Sequence, residues 1–364
     1  MPYQEPEELR IFRLAMFGVV LLAAIVGNFM VIKAILGKRY KPFVYCLVTN
    51  LAVGEIISAI CTIFTVTYIE LRTWVFGDFL CHLIFPLQTT SVTVVTTTIA
   101  IISIRRYQVV TDIGMNFPSS KRGVRLVICG IWLFAFAVSA PLYIYHKVIH
   151  FDATNTHAAV AYCIERYPGD TAKSWFKDTS KRYSITRIFL CFVIQVVIMI
   201  LSYGAVTVKI KKQVRSIIRN ARARVDSTQS NTRVTDYNMD VHRTSSPPTI
   251  HQMVPLQEII SRAQEADQNT REKPEVKALL DQEGDLTRMF YIIVLIFIMF
   301  YLPFQIFYIL ELFKAVSPHW KYTFILRKFF LLLSCFPSAL HPLCYGTMSR
   351  FYAMAFKKLV LCKC

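Results

Sequence analysis

Seven long apolar runs, at about 12–36, 43–69, 79–104, 124–146, 184–208, 287–312 and 323–346, constrain this chain more than any other feature of its sequence. A helix needs roughly 20 mostly apolar residues to cross about 30 Å of hydrocarbon. Inside hydrocarbon every backbone N–H and C=O must find a partner within the protein, so uninterrupted runs of this length predict helices rather than barrel strands. Hydrophobic residues make up 54% of the chain and the mean hydropathy is +0.43, above the roughly 45–50% apolar content of soluble domains. Eleven mostly polar residues, among them Glu5, Glu7 and Glu8, precede the first run. That run is longer than the apolar core of a cleavable leader, so it is expected to stay in the protein as an anchor. The fold class read from these runs is an all-α, seven-helix membrane bundle.

A net charge of +18 raises nucleic acid as a partner, but the basic residues sit where a membrane topology puts them. Lys38, Arg39 and Lys41 follow the first run. Arg105, Arg106, Lys121, Arg122 and Arg125 lie around the third and fourth. Lys209, Lys211, Lys212 and Arg215 follow the fifth, and Lys357, Lys358 and Lys363 follow the seventh. These short flanks agree only if the amino terminus is outside and the carboxyl terminus in the cytosol of a plasma-membrane protein. No nucleic acid is expected. The predicted organisation is an outer tail at 1–11, spans one to five over 12–210, a long polar cytoplasmic loop at 211–286, spans six and seven over 287–346, and a short amphipathic helix with the tail at 347–364. The loop is rich in Arg, then Ser, Thr and Asp, and reads as largely disordered. Its first part, Lys211 to Arg224, predicts a basic amphipathic extension of the fifth helix, suited to anionic lipid or to a partner protein.

Six of the ten cysteines (Cys46, Cys61, Cys129, Cys191, Cys335 and Cys344) lie within runs and read as small buried hydrophobes. Cys81 and Cys163 are the pair exposed to the oxidising side and are expected to form a disulfide. Cys362 and Cys364 end the amphipathic stretch, a placement that suits S-palmitoylation. No nucleophile–base set and no metal-ligand spacing stands out, so neither an enzyme nor a cofactor is expected. No internal repeat or pair of broken helices points to a transporter.

Short motifs then fall in order along the runs. Gly27-Asn28-x-x-Val31 is in the first, and Asn50-Leu51-Ala52-x-x-Glu55 in the second. Trp74-x-Phe76-Gly77 and Cys81 follow. Arg105-Arg106-Tyr107 ends the third, Trp132 and Pro141 lie in the fourth, and Tyr203 in the fifth. Phe297 and Tyr301-Leu302-Pro303 are in the sixth, and His341-Pro342-x-x-Tyr345 in the seventh, with Phe351 after it. In this series the chain resembles the rhodopsin-like G-protein-coupled receptors over nearly its whole length outside the long loop. The resemblance implies an extracellular ligand, a heterotrimeric G protein inside, and arrestin and receptor kinases as further partners. It also implies a switch built from Arg106, Tyr203, Pro303, Pro342 and Tyr345. Kinked helices give a bundle with two packings, as a switch requires.

Several positions depart from the family pattern. Arg105 stands where the family carries an acid that restrains the next arginine, and it is expected to repel Arg106. Glu283, just before the sixth run, is the expected substitute restraint. Gln195 replaces a proline, and Tyr301 a tryptophan. Glu55 and His341, with Asn28 and Ser338, replace the family's sodium-associated polar site. The family fold would bring Glu55 and His341 together, either as a fixed internal hydrogen bond or as a titrating pair in which a proton on His341 does part of what sodium does elsewhere. Gln88, where amine receptors carry an aspartate, and Cys335, where visual pigments carry lysine, turn the ligand reading toward peptides. Span three is similar to that of neuropeptide receptors, including those for peptides ending in amidated arginine–aromatic pairs. The expected ligand wall is Gln88, Thr89, Tyr301, Gln305 and Glu311, with Glu311 meeting a ligand arginine and Glu70 a rim charge. The rival reading is a receptor-like scaffold or ligand sink that does not couple.

Overall fold

The computed structural model describes residues 5–37, 43–111, 120–151, 160–167, 178–209, 212, 215, 274–316 and 320–360; side chains at 110–111, 178, 274–286, 350–351 and 359–360 are outside the description. Among the described residues seven helices are long and apolar enough to cross a membrane. They are α1 (Glu7–Leu36), α2 (Phe43–Leu71), α3 (Gly77–Thr111), α4 (Lys121–Tyr145), the Thr179–Lys209 span, here α5, then α6 (Pro274–Leu312) and α7 (Thr323–Met348). A short helix α8 (Arg350–Val360) follows, with apolar and basic residues on separate faces. The chain divides into two compact units, one of Met1–Tyr203 with Asp285–Cys364 and one of Gly204–Gly284. Within the second, Gly204–Lys209 and Pro274–Gly284 are helical; most of the expected long loop lies outside the described residues.

Between α4 and α5 the chain makes an antiparallel hairpin of β1 (His146–Phe151) and β2 (Val160–Glu165), a pairing that polar loop composition gave no reason to expect. The expected disulfide is present: Cys163 on β2 is bonded to Cys81 on α3. Beside it Trp74 packs with Tyr68, Phe76 and Phe85 at ring separations of 5.5, 5.1 and 5.5 Å. The Trp74 backbone N–H donates to the Ala161 carbonyl at 2.7 Å, and its indole N–H to the Gly77 carbonyl at 2.7 Å. Gly77 takes that turn at φ +79°, in the left-handed region that glycine enters without a steric penalty.

Apolar packing does little to order helices within hydrocarbon, so close approach and polar clasps carry more of the specificity. Gly27 lets α1 meet α7: a Cβ there would sit 2.8 Å from Cβ of Pro342. Asn50 joins three helices, donating to the Thr98 hydroxyl on α3 and accepting from the Trp132 indole on α4, both at 2.9 Å. Tyr345 on α7 packs against Tyr352 on α8, 5.3 Å between rings, and Tyr352 against Tyr45 on α2 at 5.9 Å.

At the disulfide end a network of charges binds α1, α2 and α7. Arg13, only 1% exposed, pairs with Glu5 at 2.7 Å and Glu70 at 2.9 Å; Lys328 reaches Glu70 at 3.0 Å and Glu5 at 3.5 Å, and Arg10 reaches Glu70 at 3.0 Å. The Arg13 hydrogen bond holds the Glu5 carboxyl below its ordinary range. The sequence offered Glu70 as a rim charge. Here it is a clasp between helices. Removing Glu70 takes one of two acids from Arg13 and the nearer of two from Lys328 while Glu5 stays in place, at about 1 kcal/mol. Glu70→Ala is therefore expected to lower the thermal unfolding temperature of the detergent-solubilised protein, with a loss of about that size, while Arg10→Ala, at the exposed edge, changes it little.

Candidate functional site

A cavity of about 400 Å³ opens inside the bundle at the disulfide end, walled mainly by α2, α3, α5, α6 and α7, with single residues from α1, α4, β1 and β2. Of the expected ligand wall, Gln88, Thr89, Tyr301 and Gln305 line it. Glu311 is not among the lining residues. It is paired with Arg327 of α7, with Nη2 at 2.7 Å and Nε at 3.2 Å from one carboxylate oxygen. Arg327 itself reaches the wall. On the α2–α3 side the wall is made of hydroxyls and one amide: Thr65 donates to Gln88 Oε1 at 2.9 Å, and Gln88 Nε2 donates to the Thr62 hydroxyl at 3.1 Å. The floor is aromatic. Tyr301 stacks on Phe297 at 5.2 Å and meets Phe192 at 5.6 Å, and its hydroxyl lies beside Gln305.

The fifth helix gives this wall a residue that the sequence reading passed over. Gln195 replaces the usual proline, and just before it the helix widens into a π-helical turn over Phe189–Val193. Such single wide turns recur at functional sites. The helix phase set there turns Arg187, Ile188, Cys191 and Phe192 toward the cavity. Arg187 donates to the Tyr308 hydroxyl at 3.3 Å and the Thr89 hydroxyl at 3.4 Å, and its guanidinium lies 5.9 Å from the ring centres of Tyr183 and Tyr308. An ionisable residue inside an apolar run is a signal in its own right. Its place only three residues into the run let it read as one more interfacial cation.

Deeper in the bundle, Glu55 of α2 and His341 of α7 are both fully buried and hydrogen-bonded through Oε1 and Nδ1. Asn28 of α1 donates to the Ser338 and Ala24 carbonyls, each at 2.9 Å, so the site joins three helices. Glu55 Oε2 and His341 Nε2 make no hydrogen bond among the described residues. Val95, 7% exposed, packs at Gly54 one position before Glu55. Ser338 lines the cavity above, so the polar centre and the cavity share one residue.

Toward the opposite end, Arg106 is 2% exposed and its guanidinium lies 5.4 Å from the ring centre of Phe290 on α6. Tyr203 on α5 is buried near Ser103 and Arg106 and meets Tyr291 at 5.8 Å. Arg105 and Tyr107 are half-buried, whereas Arg106 between them is buried. Successive helical side chains point about 100° apart, so Arg105 and Arg106 leave the helix in different directions, which weakens the repulsion expected between them. Pro303 lies inside α6, and Pro342 inside α7 three residues before the buried Tyr345. Glu283 is in α6, with its side chain outside the description, and Cys362 and Cys364 lie outside the described residues.

His146 closes the cavity beside the hairpin. It stacks on Phe85 at 5.4 Å, and its Nδ1 meets the Leu142 carbonyl at 3.1 Å. Burial disfavours the imidazolium, and the positive Arg187 acts in the same direction, with His82 adding to it, against the Leu142 carbonyl. Its pKa falls from 6.5 to about 4. Between those values the unfolded chain takes up a proton that the folded chain refuses. Stability therefore declines as pH falls from about 6.5 to about 4, by on the order of 3 kcal/mol, and this contribution levels off below that window. Thermal unfolding of the protein in lipid nanodiscs should show this decline, and His146→Gln should flatten it.

Comparison with known proteins agrees with this geometry. Residues 27–345 match the 7 transmembrane receptor (rhodopsin family). Among curated relatives, neuropeptide Y receptor type 5 of Rattus norvegicus is 30% identical over 175 residues, which is 47% of this chain and 39% of that protein. Neuropeptide Y receptor type 2 of Cavia porcellus is 27% identical over 223 residues, 58% of this chain and 57% of that protein. The human type 2 receptor is 26% identical over 224 residues, 59% of this chain and 57% of that protein. The matched stretch thus spans well under two thirds of these relatives. The family match, by contrast, runs from the first helix to the seventh, and the chain belongs to the rhodopsin family of 7 transmembrane receptors.

Proposed function

We propose that this protein is a peptide receptor that activates a heterotrimeric G protein. One observation carries the reading: a cavity of mixed polar and apolar lining at the disulfide end is joined, through Ser338 and the buried Glu55–His341 pair, to a bundle whose other end holds the buried Arg106. The disulfide end faces the oxidising exterior, so the cavity is open to an extracellular ligand and the carboxyl terminus is cytoplasmic. The names of the relatives support a peptide as that ligand. Binding favours the packing in which the inner end of α6 swings out about Pro303, and Arg106, Tyr203 and Tyr345 rearrange to admit the G protein. The ligand shifts this equilibrium only by its difference in affinity for the two packings. Glu311 reaches a ligand arginine by exchanging it for Arg327. Glu283 restrains Arg106 at rest, Cys362 and Cys364 carry acyl chains, and arrestin and receptor kinases act on the same cytoplasmic face.

The test is nucleotide exchange on purified G proteins by the nanodisc-reconstituted protein, challenged with pools of free-acid and amidated peptides. At least one pool should raise exchange, and Arg106→Ala should reduce both basal and stimulated exchange by about tenfold or more with the protein still folded. No exchange above the G protein's own rate with any pool favours the scaffold reading, which Arg105, Tyr301 and His341 make the leading rival.

In the same proposal the buried Glu55–His341 pair takes the place of the family's sodium-associated site. Basal exchange is then expected to respond little to sodium. A strong sodium effect refutes this role.

A further inference from the structure

Three charged side chains reach the cavity wall: Glu165, Arg187 and Arg327. Arg327 is neutralised by Glu311 at 2.7 Å. Arg10 and Arg13, at the same end of the bundle, likewise hold carboxylates at 3.0 and 2.7 Å. Arg187 differs from all of them. Among the described residues no carboxylate oxygen lies within 4.0 Å of its guanidinium. Its contacts are two hydroxyls, at 3.3 and 3.4 Å, and two tyrosine rings. Glu165 on β2 acts on it only through space and stands beside Tyr167.

A guanidinium stays charged at any physiological pH and presents a planar fork of five donors suited to a carboxylate. Hydroxyls and ring faces at these distances compensate such a charge only in part, and a cation within the bundle is costly without a counter-ion. The cost is retained here at the wall of the one cavity described, not in closed packing. Tyr308, which also lines the cavity, offers apolar ring surface to whatever group follows the anion.

We propose that Arg187 is an anion subsite of the ligand cavity, holding a carboxylate of the ligand beside the ring of Tyr308. This rests on the reading of the cavity as the ligand site, and it adds an acidic group to the expected ligand. The acid that would meet a basic peptide, Glu311, is already paired, while the cation that would meet an acidic one is not. The carboxylate is an acidic side chain or a free carboxyl terminus of the ligand.

The probe is 3-phenylpropionate, compared with the uncharged 3-phenylpropionamide and titrated against the full-length protein in nanodiscs by saturation-transfer NMR. The acid should bind about tenfold more tightly than the amide or better. Arg187→Gln should erase that preference, and Arg187→Lys, which keeps the charge without the fork, should reduce it severalfold. Should the glutamine variant fail to fold, the lysine variant carries the test. Equal binding of acid and amide, no saturable binding of the acid up to about 10 mM, or an acid preference that survives substitution overturns the proposal. Peptide pools in matched acid and amide, Asp and Asn forms, read by nucleotide exchange, separate side-chain from terminal carboxylates. If no pool acts while the acid preference of the fragment stands, the peptide-receptor reading falls and the anion subsite remains.

Discussion

Helices surrounded by hydrocarbon have little hydrophobic reason to leave it for one another, because a lipid tail is as apolar as a leucine. What orders them here is a small set of buried polar clasps. Asn50 ties α2 to α3 and α4. Asn28 ties α1 to the α7 backbone, and Glu55 ties α2 to His341. Each group was desolvated when the helices packed, so each needs its partner in place. The clasps therefore specify which faces meet. Close approach at Gly27 against Pro342 adds a steric fit that any side chain would spoil.

The same economy of polar groups shapes the cavity. Its α2–α3 wall is a chain of neutral donors and acceptors in which Thr65, Gln88 and Thr62 already satisfy one another. Its α5 wall carries Arg187, which among the described residues contacts two hydroxyls and two tyrosine rings. A ligand meeting these two walls finds one that must be persuaded to exchange hydrogen bonds and one that gains a counter-ion. Electrostatic asymmetry of this kind fixes the orientation in which a ligand sits before it adds affinity.

The spans and the disulfide were legible in the sequence because each rests on a local rule, apolar run length and cysteine exposure. Proximity of Glu55 and His341 could be read from their motifs on the second and seventh runs. Three features were not legible, for a shared reason: each depends on where a remote segment sits. Glu311 looks like an open acid until Arg327, across the α6–α7 connection, is placed beside it. Glu70 looks like a rim charge until Arg13 and Lys328 arrive. Arg187 looks interfacial until the π-helical turn after it sets the phase of α5. The hairpin of β1 and β2 escaped because its register is fixed by long-range bonds, Cys163 to Cys81 and Ala161 to Trp74, rather than by its own alternation.

The ion network at the disulfide end also has a history within each molecule. Arg13 and Glu70 leave the ribosome early, as the first two helices are inserted, and can pair at once. Lys328, on the last membrane helix, arrives only when synthesis is nearly complete. Until then Glu5 and Glu70, two acids, are shared by Arg13 and Arg10 alone, and α7 has no charged hold on the bundle. With Lys328 in place three cations face two acids, so the last membrane helix joins a cluster whose charges the first helix, Glu5 and Glu70 had already balanced.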